Sequence, residues 1–138
     1  MIRIEPEPMS AMIAHGHDCY PRECCGIMLG TLDGDHRVVT LAMVCKNVYA
    51  GDQEDRFQLD PRDQLAADRK ARDTGLTVLG FFHSHPDEDS YFSATDLKNS
   101  WPWYSNVVMS VRNGQFAVAR SFIANEDQTA ATPEELHY

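Results

Sequence analysis

No Cys-x-x-Cys pair occurs among the four cysteines, Cys19, Cys24, Cys25 and Cys45. That excludes a zinc ribbon and a thioredoxin-like redox motif. Cys24 and Cys25 are neighbours, an awkward geometry for bridging to each other, so the four read as reduced thiols behaving as small buried hydrophobes. Long apolar runs are also missing. None approaches the roughly 20 residues that span a bilayer, so no membrane partner is expected. The opening MIRIEPEPM lacks a basic stretch followed by an apolar one, and a cytoplasmic protein without a secretion signal is expected. Basic clusters are absent too. With 12 Lys and Arg against 21 Asp and Glu, the net charge is −9. A phosphate-tracking surface, and with it a nucleic-acid partner, is therefore not expected. The acidic balance favours solubility and a basic partner.

What is present fits one domain. The 138 residues, 43% apolar and 24% charged, suffice for a proper hydrophobic core. Ile2 and Ile4 predict a short strand closed by Pro6 and Pro8, and Met9, Met12 and Ile13 predict a helix to about Cys19. Cys24 to Leu29 reads as a buried strand, Asp33-Gly34 as a hairpin turn, and Val38 to Val44 as the return strand. Asn47 to Arg56 is a polar loop, and Phe57 and Leu59 alternate as a brief strand. Asp60-Pro61 caps a helix that Gly75 terminates. Thr77 to Phe82 is an apolar strand leading into His83. Val107 to Val111 and Phe116 to Ile123 flank Asn113-Gly114 as a β-hairpin. The class is α+β (mixed α/β), with one domain over residues 1–124. A polar tail follows over 125–138, with a short helix predicted after Thr132-Pro133-Glu134-Glu135.

The chemistry concentrates in GFFHSHPDEDSYFSATDL, Gly80 to Leu97. His83 and His85 follow a buried strand, and residues two apart on an extended chain share a side, so both imidazoles can converge on one ion. Zinc takes such nitrogens together with carboxylates. Surface histidines at a strand end are the plain alternative. Ser93 to Asp96 has the form of a capping box, with Phe92 and Leu97 placed as a hydrophobic staple. A cap does not exclude function, because it would fix Asp96 rigidly enough to complete a three-ligand site with His83 and His85. Asp87, Glu88 and Asp89 read as a solvated acidic loop, and Ser84 faces away from the ligands. Trp101, Trp103 and Tyr104 read as core, with a groove border as the alternative. Other metal and nucleophile motifs fail: there is no His-Glu-x-x-His, no Gly-x-Ser-x-Gly and no phosphate loop. The His-x-Glu and Pro-Cys-x-x-Cys of nucleobase deaminases are missing as well.

A longer pattern does match. His83-Ser84-His85-Pro86, the stretch to Phe92, then Ser93 and Asp96, resembles the signature of the JAMM (MPN-plus) metalloproteases. Pro21-Arg22-Glu23-Cys24-Cys25-Gly26 resembles the segment where that family carries its catalytic glutamate. Arg56-Phe57, Asp60-Pro61 and Gly80-Phe81 fit as well, so the likeness extends over about residues 2 to 123. It implies a cytidine-deaminase-like β-sheet flanked by helices and a zinc ion (Zn2+) held by His83, His85 and Asp96. Zinc acidifies water towards a pKa of about 7. By the same resemblance Glu23 is the general base and later the general acid, and Ser93 donates to the developing oxyanion. Without the resemblance Glu23 reads as a solvated turn residue. Small members of the family process ubiquitin-fold sulfur-carrier proteins at a Gly-Gly tail, and such a carrier is the implied partner. Two other readings stay open: a non-catalytic binding scaffold of the same fold, and a zinc hydrolase of a different amide. The oligomeric state is not legible.

Overall fold

A computed structural model describes all residues from Met1 to Tyr138. Eight strands and three helices follow one another: β1 (Ile2–Ile4), α1 (Pro6–Cys19), β2 (Cys25–Asp33), β3 (His36–Cys45), α2 (Pro61–Thr74), β4 (Thr77–Pro86), α3 (Ala94–Asn99), β5 (Ser105–Arg112), β6 (Gln115–Ala124), β7 (Ala131–Glu134) and β8 (Leu136–His137). The strands form one sheet in the order β7-β6-β5-β4-β2-β3-β1-β8. The pairs β4–β5, β1–β3 and β1–β8 are parallel and the others antiparallel. The α+β class read from the sequence is the architecture found.

Two apolar clusters sandwich the middle of the sheet. On one side Ile2, Met9, Met12, Met28 and Phe82 pack with α1, and on the other Cys25, Ile27 and Leu29 pack with Ala67 and Ala71 of α2. The alternation of side chains along β2 and β4 assigns neighbours to opposite clusters. All four cysteines are free thiols. Burial pushes Cys24 and Cys45 up to about 12, which removes thiolate chemistry near neutrality.

Several elements depart from the sequence expectation. Helix α1 begins at Pro6, with Pro6 and Pro8 inside its first turn rather than closing the strand. Proline is at home there because the first helical N–H groups have no intrahelical acceptor. Strand β4 runs on to Pro86, so His83 and His85 lie within the strand and not beyond it. Phe57 to Leu59 makes only an isolated bridge, Asn47 to Leu59. The tail contains no helix. Residues 131–134 pair with β6 and 136–137 with β1, the two opposite edges of the sheet. The sheet must therefore curl until its edge strands are one residue apart, and that residue, Glu135, accepts from the Ile2 N–H at 2.9 Å at the start of the β1–β8 pairing. The open edges of β6 and β1 offered ladder partners to residues 131–134 and 136–137, and a one-turn helix is marginal by itself.

α2 matches its expected caps. The Asp60 side chain accepts from the Arg62 N–H, and Gly75 closes the helix in the left-handed region at φ 70°. Gly80 serves a different need, the close approach of β4 and β5. A Cβ there would run into the backbone carbonyl of Ser105, its partner in the parallel register. Gly80→Ala is accordingly expected to destabilise the fold by about 1–3 kcal/mol and lower the melting temperature by at least about 3 °C. A thermal melt indistinguishable from wild type would contradict the tight β4–β5 contact.

Candidate metal centre

Alternation along β4 turns Phe81, His83 and His85 to the α2 side and Ser84 to the other. Ser84 is structural, as read: its Oγ accepts from the Cys24 N–H at 2.8 Å. Asp96 arrives through the capping box that opens α3. The Asp96 N–H donates to Ser93 Oγ at 3.0 Å, and the Ser93 N–H donates back to Asp96 Oδ2 at 3.1 Å. The second bond aims the carboxylate. Its Oδ2 stands 3.2 Å from Nε2 of His83 and 3.2 Å from Nε2 of His85, and the two Nε2 atoms are 3.3 Å apart. These three residues form the one group of metal-type donors brought together in the chain.

That triangle has the dimensions of a metal site. Donors held 2.0–2.1 Å from a tetrahedral ion stand about 3.3–3.4 Å apart, since a tetrahedron's edge is about 1.63 times its radius. The tautomers agree. His85 Nδ1 lies 2.9 Å from the Asp89 carbonyl, which can only accept, so Nδ1 carries the hydrogen and a neutral ring presents an Nε2 lone pair to its neighbours. Lone pairs of two imidazoles and a carboxylate converging in a dry site repel one another unless positive charge stands between them. Both histidines are buried, 3% and 4% exposed.

The electrostatics carry the same message. Burial works against the Asp96 carboxylate, yet the charge of His83, the closeness of both imidazoles and the hydrogen bond from the Ser93 N–H hold it well below the usual range. Burial likewise opposes an imidazolium at His85, but Asp96 and the Asp89 carbonyl raise its proton affinity. The cluster favours a cation. Aromatic rings brace it: Phe57 stacks on His83 with centroids 4.6 Å apart, and Tyr91 meets His85 edge-on at 4.9 Å.

Glu23 sits just before β2. The Ser84 N–H donates to the Cys24 carbonyl at 3.2 Å, one step beyond the Cys25–His83 pair, so the ladder places Glu23 opposite His85 on the same face. The side chain is buried, and its Oε1 has no hydrogen-bond partner in the chain. Burial is the main reason its carboxyl is pushed up to about 8, with the charge of Asp96 adding and that of His85 opposing. An orphaned carboxylate oxygen beside three converging donors is what a metal-activated reaction centre would contain. The plain reading of Glu23 as a solvated turn residue does not hold.

The acidic loop is exposed, as read, and none of its carboxylates joins the cluster; each bonds to a neighbour at the surface. Asp87, at φ 59°, accepts from the Tyr20 hydroxyl at 2.6 Å and the Asn113 N–H at 2.8 Å. Asp89 pairs with Arg112, and Glu88 Oε2 accepts from the Tyr91 hydroxyl. The loop thereby holds the Asp89 carbonyl against His85, a backbone contribution no side-chain pattern could announce. Trp101 and Trp103 are exposed rather than core, while Tyr104 is half-buried edge-on against Phe81 at 5.4 Å. Trp101 is 64% exposed and borders a cavity of about 530 Å³ beside the cluster, lined also by Phe57, His83, Phe92, Asp96 and Asn106. Gln64, Phe81 and Trp101 also line an adjoining cleft of about 360 Å³, which Tyr104 completes. Trp103 instead covers the guanidinium of Arg37 at 4.2 Å, near the start of β5.

The chain as a whole is similar to known proteins. A family model described as prokaryotic homologs of the JAB domain matches residues 6–123. A desampylase of Haloferax volcanii is 37% identical over 91 residues, 65% of this chain and 63% of that protein. A CysO-cysteine peptidase of Mycobacterium tuberculosis is 28% identical over 95 residues, 69% of this chain and 62% of its own. The tail tip assembly protein K of Escherichia phage N15 is 36% identical over 88 residues, 64% of this chain and 32% of that protein. The matched stretch thus spans under two thirds of each of these curated relatives. Among solved structures, a protein of Desulfitobacterium hafniense superposes with a TM-score of 0.86 at 33% identity, covering 99% of this chain and 91% of that one. One of Salinibacter ruber gives 0.75 at 32% identity, covering 98% and 90%.

The cluster is tested by metal titration of the purified chain with Zn2+ or Co2+. One ion per chain is expected, and His85→Ala and Asp96→Ala should each bind it at least about 100-fold more weakly, because two remaining donors no longer define a tetrahedral site. Stoichiometric, equally tight binding in both variants would remove these residues from the ligand set.

Proposed function

The chain belongs to the family of prokaryotic JAB-domain homologues, and we propose that it is a JAMM-type zinc peptidase. Its substrate, on this reading, is the amide bond after the C-terminal Gly-Gly of a ubiquitin-fold sulfur carrier. The observation that carries the proposal is the buried His83–His85–Asp96 triangle, 3.2–3.3 Å on each edge, with the unpartnered Glu23 oxygen on the same face. The relatives named desampylase and CysO-cysteine peptidase support a hydrolase of this kind. A non-catalytic scaffold would have no use for burying three mutually repelling donors, which costs stability unless a cation pairs them.

His83, His85 and Asp96 would hold the zinc, and their two nitrogens and one oxygen suit it. Bound there, the ion would acidify water towards a pKa of about 7 and polarise the scissile carbonyl, and its charge would favour the Glu23 carboxylate. Glu23 as a carboxylate accepts a proton from the attacking water and returns it to the leaving nitrogen, so that water and amide become an acid and an amine. Ser93 can serve twice. Its Oγ accepts the Asp96 N–H, which occupies a lone pair and leaves its own hydrogen to donate to the oxygen on which charge develops. Phe57, Phe92 and Trp101 line the approach, and an extended diglycine, having no side chains, suits such a narrow passage.

Glu23→Gln isolates the proton carrier, since the amide keeps the shape and cannot take the proton. Zinc content and melting temperature are expected to stay at wild-type values while cleavage falls about 10²–10⁴-fold. A loss under tenfold would remove Glu23 from that role.

Substrate class is tested by mass spectrometry of two parallel digests. One contains a folded carrier extended by one amino acid after Gly-Gly, the other a short peptide with the same tail. The carrier's folded body supplies binding energy remote from the scissile bond, so it should be cut much faster than the peptide. Equal rates, or ready cutting of unrelated unfolded proteins, would point to a general peptidase instead.

A further inference from the structure

The polar segment after β3 contains one side chain whose bonds account for where Glu23 stands. Asn47 uses its whole hydrogen-bonding capacity. Its Nδ2 donates to the Glu23 carbonyl at 3.2 Å and to the Arg56 carbonyl at 3.0 Å, while its Oδ1 accepts from the N–H groups of Tyr49 at 3.0 Å and Gln58 at 3.1 Å. Only one orientation of the amide satisfies two carbonyls and two N–H groups together, so the assignment is unique. The same loop returns the grip on the other side of the residue. The Glu23 N–H donates to the Gln53 carbonyl at 2.7 Å, and the Gln53 side chain is tied to the carbonyls of Asn47 and Tyr49 at 3.1 and 2.9 Å.

Glu23 needs this because β2 begins only at Cys25, so the sheet ladder does not hold its backbone on the β3 side. The loop also carries Phe57, stacked on His83. One amide therefore joins the backbone of the residue with the orphaned carboxylate to the segment that braces a metal-type donor. We infer that Asn47 is a positioning residue: by clamping the Glu23 carbonyl to the 47–58 loop it holds the Glu23 carboxylate at its working distance from the His83–His85–Asp96 cluster. The inference rests on the proton-carrying role proposed for Glu23.

Asn47→Asp is the selective change. The carboxylate still accepts from Tyr49 and Gln58 but offers no donor to Glu23 or Arg56. Amide hydrogen exchange on the full chain reads the clamp without any substrate: exchange at the Glu23 amide should rise about tenfold or more, with the β4 amides unchanged. On the zinc-loaded enzyme kcat should fall about 10- to 100-fold, since small misplacements of a reacting group cost that much, with KM and zinc content held. In a Glu23→Gln background the same change should alter the residual rate by less than about twofold, because residues acting through one another are not additive. Asn47→Ala, which removes all four bonds and adds no charge, should loosen the amides of both Glu23 and Gln58 and decides the matter if the aspartate variant does not fold. Unchanged protection at Glu23, or additive losses with Glu23→Gln, overturns the inference. A wild-type chain that binds zinc and cleaves nothing sinks the peptidase reading, and hydrogen exchange then decides the clamp alone.

Discussion

The antiparallel pairing of β2 with β4 is the constraint on which the rest of the site depends. It sets Cys25 against His83, and the ladder's last bond, from the Ser84 N–H to the Cys24 carbonyl, carries the register one step further. Residues 60 apart in the chain thereby face each other. A slip of one residue would send Glu23 to the opposite face from His83 and His85, because side chains alternate with a period of two. Ser84 secures that register from the reverse side by binding the Cys24 N–H, which explains why a serine occupies the position between the two histidines.

The second constraint is electrostatic. Two imidazoles, a carboxylate and the Glu23 carboxyl share a dry region, and their preferences conflict without positive charge among them. The fold supplies rigidity from outside: the Asp89 carbonyl fixes one ring, Phe57 covers the other, and the reciprocal cap of α3 aims Asp96. α3 is a helix of six residues with none buried, too short to be stable by itself, so its place depends on that cap and on the contacts of Asp96. The cap fixes Ser93 and Asp96 in place, and the chemical duties proposed for them do not conflict with it.

Around this centre the chain offers an approach rather than a closed chamber. The cavity beside the cluster continues past Trp101 into the cleft against α2, with Phe81 and Gln64 common to both. No helix of the chain is long and apolar enough to cross a membrane.

Much of this was legible in the residues. Alternation in GFFHSH announced two imidazoles on one side of a strand, Ser-x-x-Asp announced a cap, and Asp60-Pro61 with Gly75 bounded α2, because each signal is local and its partners lie within a few residues. The errors are of the opposite kind. The tail read as a helix from its cap-like Thr132 to Glu135, while open edges of β6 and β1 drew it into the sheet. Trp101 and Trp103 read as core and proved exposed, because burial depends on what the rest of the chain brings alongside. Glu23 could be singled out only by likeness to a family, since nothing within ten residues of it reveals a partner opposite. Local sequence fixed which residues carry donors and which turns begin and end the helices. The tertiary structure alone decided that Glu23 faces His85, that Asp89 orients a ring through its backbone, and that Asn47 holds the strand end. Those facts come from strand register and loop closure over tens of residues, where the energy lies in pairings a linear pattern does not encode.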